Sequence, residues 1–177
     1  MKAVEAVSAP DLMDEWLATP GLNSRQRGQI EALGVTRDAV HRCGGLGWAR
    51  VSITGRLYMP SNAGEVMMIQ PAWAGPAPSI YQAVLDPQLA DLLAWHPDRP
   101  ERWYYRLGTP GAVLGGDNLD LAHVENWPIC LALTPLGWLL GNCCGAVLLE
   151  VCEEHWRDLD EAEEGAASIA WWGGEAA

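Results

Sequence analysis

The chain has 177 residues, 49% of them hydrophobic and 19% charged. That suits one domain, or one domain with a small appendage, with material for a packed core. Its formal net charge of −12 is unevenly spread. Residues 1–110 hold ten basic against eleven acidic side chains, a net of −1; residues 111–177 hold Arg157 against twelve acids, a net of −11. A field of that sign disfavours contact with phosphate backbones at the C-terminal end. Five cysteines, an odd number with Cys143 and Cys144 adjacent, argue against a disulfide framework and for a reducing cytoplasm. The start, MKAVEAVSAPDLMDEW, contains acids and lacks the long apolar stretch of a secretory signal.

In chain order, residues 9–19 predict a helix capped by Ser8, with Pro10 in its first turn and Asp11, Asp14 and Glu15 at its positive end. Pro20-Gly21 ends it. A second helix is expected over 25–33 after Asn23 or Ser24, stopped by Gly34. Thr36 then caps a third that runs to Cys43. Residues 26–42, QRGQIEALGVTRDAVHR, resemble the core of the helix-turn-helix motif, in which a Leu-Gly-Val-Ser/Thr turn precedes a helix with an inward valine and an arginine. Leu33, Gly34, Val35, Thr36, Val40 and Arg42 match it. The surroundings are basic: Arg25, Arg27, Arg37, Arg42, Arg50 and Arg56 against Glu31 and Asp38 give +4 over residues 22–56. The resemblance implies that Thr36, Arg37, Asp38 and His41 face DNA base edges while Arg25 and Arg27 contact phosphates, with Arg42 also part of the binding set. One departure stands out: Ile30 occupies the place, four before the turn glycine, where the motif normally has a small residue. A bulky side chain there pushes the helices apart.

From Trp48 the period shortens. WARVSI, RLYMP and EVMMIQP, separated by Thr54-Gly55 and Ser61–Gly64, predict an antiparallel meander. PAWAGPAP (71–78) predicts a surface loop anchored by Trp73, a candidate contact site. Leu89 to Trp95 is a short apolar element, Pro97 to Pro100 a turn, and Trp103 to Leu107 a strand. Residues 120–127 suit a short helix with Leu121 and Val124 inward. Trp48, Trp95, Trp103 and Trp138 lie in apolar patterns and are assigned to the core.

Pro128 to Leu149 carries no charge and is long enough to cross a bilayer. Pro135, Gly137, Gly141, Asn142 and Gly145 break it, however, and no Lys or Arg flanks it. It reads instead as strand, short helix capped by Thr134-Pro135, and strand, at the centre of a mixed sheet. After it, Glu150 to Glu164 is densely acidic, and residues 165–177 are expected to fray or dock loosely through Ile169 and Trp171.

The segment from Asp91 resembles a group of small uncharacterised proteins from bacterial prophages and integrative mobile elements. Asp91, Leu92, Ala94, Trp95, Pro97, Pro100, Trp103, Arg106 and Gly108 match a D-L-x-A-W-x-P-x-x-P-x-x-W-x-x-R-x-G run. Pro135, Leu136, Trp138, Leu139, Gly145, Val147 and Leu149 match a later P-L-x-W-L…G-x-V-x-L run. The match spans about residues 48–151, carries no assigned activity and implies an accessory role in a phage or mobile element. The acidic tail after Cys152 departs from the pattern.

Chemistry-bearing clusters are few. Cys143, Cys144, Cys152 and His155 are poorly spaced for zinc and read as small hydrophobes; no metal or cofactor is expected. His96 with Asp86, Asp91, Asp98, Arg99, Arg102 and Arg106 would form an enzymatic cleft only if folding converged them. No phosphate loop, dinucleotide fingerprint or nucleophile elbow is present.

The expected architecture is therefore α+β: a helical segment (1–46), an α+β core (47–152) and an acidic tail (153–177). The expected function is that of a cytoplasmic, non-enzymatic accessory protein. It would bind a basic protein partner, for instance one that itself binds nucleic acid, through Glu153, Glu154, Asp158, Asp160 and Glu161, with Trp73 as a further contact. DNA binding through Arg25, Arg27, Thr36, Arg37, His41 and Arg42 is the alternative, and a small enzyme centred on His96 the third reading.

Overall fold

The computed structural model describes residues 11–78, 87–109, 112–125, 129–149 and 169–172. The fold is α+β. Three short helices, α1 (Leu12–Ala18), α2 (Ser24–Ala32) and α3 (Arg37–Arg42), precede β1 (Gly47–Thr54), β2 (Leu57–Pro60), β3 (Glu65–Trp73), β4 (Leu89–His96) and β5 (Arg99–Tyr105). These strands close into a barrel in the order β1-β2-β5-β4-β3. The helices begin where short polar side chains satisfy their free N–H groups. Asn23 and Gln26 form a reciprocal capping box on α2, and Thr36 accepts from Ala39 N on α3. At α1 the cap is Asp11, which accepts from Met13 N and Asp14 N at 2.9 and 3.2 Å, so the helix starts later than a Ser8 cap would place it.

Strand β1 does the work expected of the middle strand of a meander. Its first half pairs with β3 (Gly47↔Ile69 to Val51↔Glu65) and its second with β2 (Val51↔Pro60 to Thr54↔Leu57), so β2 and β3 are not neighbours. The switch occurs at Val51, whose carbonyl lies so close to Gly64 that any Cβ there would collide with it. A parallel bridge, Leu57↔Tyr105, closes the ring. Pro71 to Trp73, expected in a loop, are the end of β3 and pair with β4.

Both faces of β3 and β4 are covered. Met67, Ile69, Leu92 and Ala94 pack with Val51, Tyr58 and Leu12 of α1; Met68, Ala72, Leu93 and Trp95 pack with α2, α3 and the chain beyond residue 111. That later part comprises β6 (Val113–Leu114), α4 (Gly116–Glu125), β7 (Ile129–Ala132), α5 (Pro135–Leu140), β8 (Val147–Leu148) and β9 (Ile169–Trp172). Residues 129–148 do form strand, helix and strand, with Thr134 Oγ1 accepting from Gly137 N at 2.9 Å and Pro135 in the first turn. The two ends touch in parallel through Ala146, which donates to Cys130 O and accepts from Ala132 N. They are not the centre of the sheet, however: β8 pairs with β6 and β7 with β9, and the barrel is the central sheet. Strand β9 contains the Ile169 and Trp171 expected to dock loosely; all four of its residues are in parallel register with β7. On α4 the inward residue is Ala122, whereas Leu121 and Val124 are exposed. Trp95 and Trp138 are buried, and Trp48 and Trp103 are partly buried against the same cluster.

One polar knot holds these parts together. Asp91, in β4, has no exposed surface. Its Oδ1 accepts from the backbone N–H groups of Leu92, Arg106 and Leu107 at 2.7, 3.1 and 3.0 Å. Its Oδ2 accepts from Gly108 and Thr109 at 2.8 and 2.9 Å. Gly108 has φ +72°, which lets the backbone curl so that successive N–H groups point at one carboxylate. Next to the knot, Arg106 Nε bridges both carboxylate oxygens of Glu15 on α1 at 2.9 and 2.8 Å. The hydroxyl of Tyr105 donates to Leu149 O.

Two outcomes are expected. Asp91→Ala strands four N–H groups, Arg106 N–H keeping its bond to Leu92 O, and should lower unfolding free energy by about 3–5 kcal/mol in urea titration, with Asp91→Asn intermediate. Tyr58 is buried and its hydroxyl finds no partner among the described residues. Burial, then the nearby Glu15 carboxylate, pushes its pKa well above the ordinary 10.0. The unfolded chain therefore ionises first, so this contribution is intact below pH 10 and is lost at about 1.4 kcal/mol per pH unit above it. Tyr58→Phe should abolish that alkaline slope while leaving stability at pH 7 unchanged or raised by up to about 1 kcal/mol.

Candidate functional site

The helix-turn-helix-like segment forms its two helices where expected, but its side chains are deployed differently. Ile30 is almost fully buried with Val35 and Ala39, and the turn closes through Val35 N donating to Ile30 O at 3.2 Å. Between the helices lies an open cleft of about 400 Å³. Leu22, Ile30, Val35, Val40 and Leu46 give it an apolar floor; Arg27, Glu31, Thr36, Arg37 and His41 stand around it. Ile30, where the motif has a small residue, is buried and forms part of that floor.

The six residues predicted to read DNA do not share one face. Arg27, Thr36, Arg37 and His41 line the cleft. Arg25 lines a separate groove of about 620 Å³ with Trp48, Val66 and His96. Arg42 lines a third pocket of about 270 Å³ with Trp73, Asp117 and Trp138. Most of the arginines are also bonded within the chain. Arg37 Nε meets Glu31 at 2.9 Å, Arg42 Nε meets Asp38 at 2.7 Å, and Arg27 Nε donates to Leu22 O at 3.0 Å. Arg50 donates to Gly64 O, and Arg56 to the hydroxyl of Tyr105.

The start of α3 is held from the far end of the chain. Asn142, just past α5, receives the Thr36 hydroxyl at 3.1 Å and donates to Asp38 at 3.0 Å. Its φ of +56° is a conformation asparagine tolerates better than most residues. Two buried thiols bind the other end: Cys43 donates to Val40 O and Gly45 O, and Cys143 to Ala39 O. Its side-chain hydrogen bonding with Cys43, followed by burial, raises the pKa of Cys143 and keeps it a thiol. Cys144 is exposed, and Cys152 and His155 lie outside the described residues.

The remaining candidates are dispersed. Trp73 is buried rather than displayed, its indole N–H donating to Cys43 O at 3.0 Å. His96 Nδ1 accepts from Asp98 N at 3.1 Å. Its supposed partners diverge: Arg99 pairs with Glu65, Arg102 lies 4.0 Å from Glu101, Arg106 pairs with Glu15, and Asp91 is enclosed in its knot. His96 lines the groove with Arg25 and Asp98, but Asp91, Arg99, Arg102 and Arg106 do not join it there; Asp86 lies outside the described residues, as do Glu153, Glu154, Asp158, Asp160 and Glu161. Among the described residues no cluster of three metal-ligating side chains occurs, and no helix is long and apolar enough to cross a membrane. No family model, curated protein or solved structure matches the chain.

Sequence reasoning missed the floor of the cleft and the role of Asn142. Ile30 was the available signal for the first; nothing local marks the second, which acts across more than a hundred residues. Asn142→Ala removes two hydrogen bonds and strains a positive φ, so a loss of about 1–2 kcal/mol is expected, read by thermal unfolding. Asn142→Gly, which relieves the strain but not the lost bonds, should fall between it and the parent, with faster amide exchange in α3 in both variants.

Proposed function

We propose that this is a non-enzymatic accessory protein that binds a basic protein partner through its acidic C-terminal third, in the setting of a phage or mobile element and the cytoplasm. The observation that supports this most is the division of charge. Residues 1–110 are almost neutral, and Arg37, Arg42, Arg99 and Arg106 are paired with Glu31, Asp38, Glu65 and Glu15. Residues 111–177 carry −11, so the long-range field of the molecule is theirs. Such a field steers a cationic partner and repels polyanions.

DNA binding through Arg25, Arg27, Thr36, Arg37, His41 and Arg42 remains the second reading, favoured by the local charge of +4. It requires those side chains to regroup from three separate surfaces. It predicts an affinity that falls steeply with salt and on Arg42→Ala.

Truncation is a poor test of the first reading, because it would remove β9 from β7. A variant with Glu153→Gln, Glu154→Gln, Asp158→Asn, Asp160→Asn and Glu161→Gln keeps the chain whole. After nuclease treatment, the parent should retain basic host proteins that elute by about 0.3 M salt, where screening is strong. The variant should lose them. Equal retention by both proteins sinks the reading.

A further inference from the structure

The cleft between α2 and α3 has an apolar floor that neither proposed function uses. We propose that it is a binding site for a small monocarboxylate with an apolar body. Its volume of about 400 Å³ lies within the usual range of small-molecule sites, roughly 300–1,000 Å³. The floor of Leu22, Ile30, Val35, Val40 and Leu46 has no hydrogen-bonding side chain, so it favours a hydrocarbon occupant.

The rim selects the charge. Arg27 and Arg37 each use Nε within the chain, on Leu22 O and on the exposed Glu31 respectively. This orients each guanidinium at the cleft edge, and a guanidinium so placed suits a planar carboxylate. The imidazole of His41, on the same rim, has no hydrogen-bond or ion-pair partner among the described residues and offers a further polar contact. Magnitude decides between anions: Arg27 and Arg37 against Glu31 leave one net positive charge, which matches a monoanion better than a doubly charged phosphate ester.

The arrangement follows from the sequence departure at Ile30. A small residue there would let the helices close, and the cleft would be filled by their own contact. Isoleucine stands there instead, while Asn142 and Cys143, just past α5, bond Thr36, Asp38 and Ala39 and so hold α3 in place. The gap is therefore supported by the rest of the fold rather than left to collapse, which lowers the ordering cost of binding.

The test uses the full chain and three probes with the same eight-carbon body: octanoate, octanol and octylamine. By isothermal titration at low salt, octanoate should bind with a dissociation constant below about 1 mM and about tenfold more tightly than octanol, while octylamine shows no saturable binding. Amide shift changes on adding octanoate should centre on residues 21–46. Arg27→Gln should reduce octanoate to the level of octanol while leaving octanol binding unchanged, which also serves as the folding control. The proposal is overturned if octanoate fails to bind at about 10 mM, if octylamine binds as well as octanoate, or if the shifts lie outside residues 21–46. It is equally overturned if Arg27→Gln weakens octanol as much as octanoate, because the arginine would then be supporting the fold.

Discussion

The fold depends on one carboxylate without contact to water. An ionised group removed from water costs several kcal/mol unless its lone pairs are met. Asp91 is met five times, all by backbone N–H groups, four of them from residues 106–109. These donors cannot be rotated away as side chains can, so the loop has no alternative shape that keeps them satisfied. The knot fixes the end of β5, and from there two connections radiate. Arg106 reaches Glu15 and holds α1 against β4; Tyr105 reaches Leu149 and holds the C-terminal elements against the barrel. Helix, barrel and terminal elements thus share a common anchor.

This explains which parts of the architecture the sequence disclosed. Local signals were sufficient for local structure: Asn23, Thr36 and Thr134 cap the helices they appear to cap, and the glycine turns separate the strands. Absence of charge points to residues 128–149 as the centre of the fold, but it does not mark the most buried strands. Residues 128–149 are free of charge, yet β3 and β4 are covered on both faces and contain Gln70 and Asp91. A buried polar residue is invisible to a hydropathy pattern when its partners lie elsewhere. Gln70 accepts from the indole of Trp95 at 3.0 Å, and Asp91 is satisfied by a loop fifteen and more residues away. The strand order was hidden for a similar reason. That β1 exchanges one partner for another at Val51 follows from a contact with Gly64, which no alternation in β1 records.

The run of residues that carried the resemblance to mobile-element proteins has a physical reading of its own. Asp91 and Gly108 form the knot, Arg106 leaves it toward α1, and Leu92, Ala94 and Trp95 are the buried side chains of the same strand. In the second run, Trp138 donates its indole N–H to Gly145 O at 2.9 Å. Gly145 has φ +73° and lies where a Cβ would strike the Cys130 carbonyl. These positions are constrained by folding whether or not they bind anything. Function is better sought in residues that folding leaves unexplained.

By that criterion the N-terminal hairpin is the informative region. Its arginines resemble a DNA-reading set in the sequence because spacing alone cannot show whether a guanidinium faces outward or back onto the chain. The structure gives most of them internal partners, and an exposed ion pair such as Arg37–Glu31 contributes little to stability, about 0–1 kcal/mol. Such pairs are weak enough to be exchanged for a ligand at small cost. The apolar floor beneath them is different: unfilled hydrocarbon surface between two helices forfeits dispersion contacts that closer packing would have supplied. Ile30 occupies the place of the motif's small residue, and Asn142 and Cys143 hold α3 in place from the end of α5. A gap braced by a distant segment, floored with hydrocarbon and rimmed by exchangeable cations is a costly way to build a helical hairpin and an economical way to build a pocket.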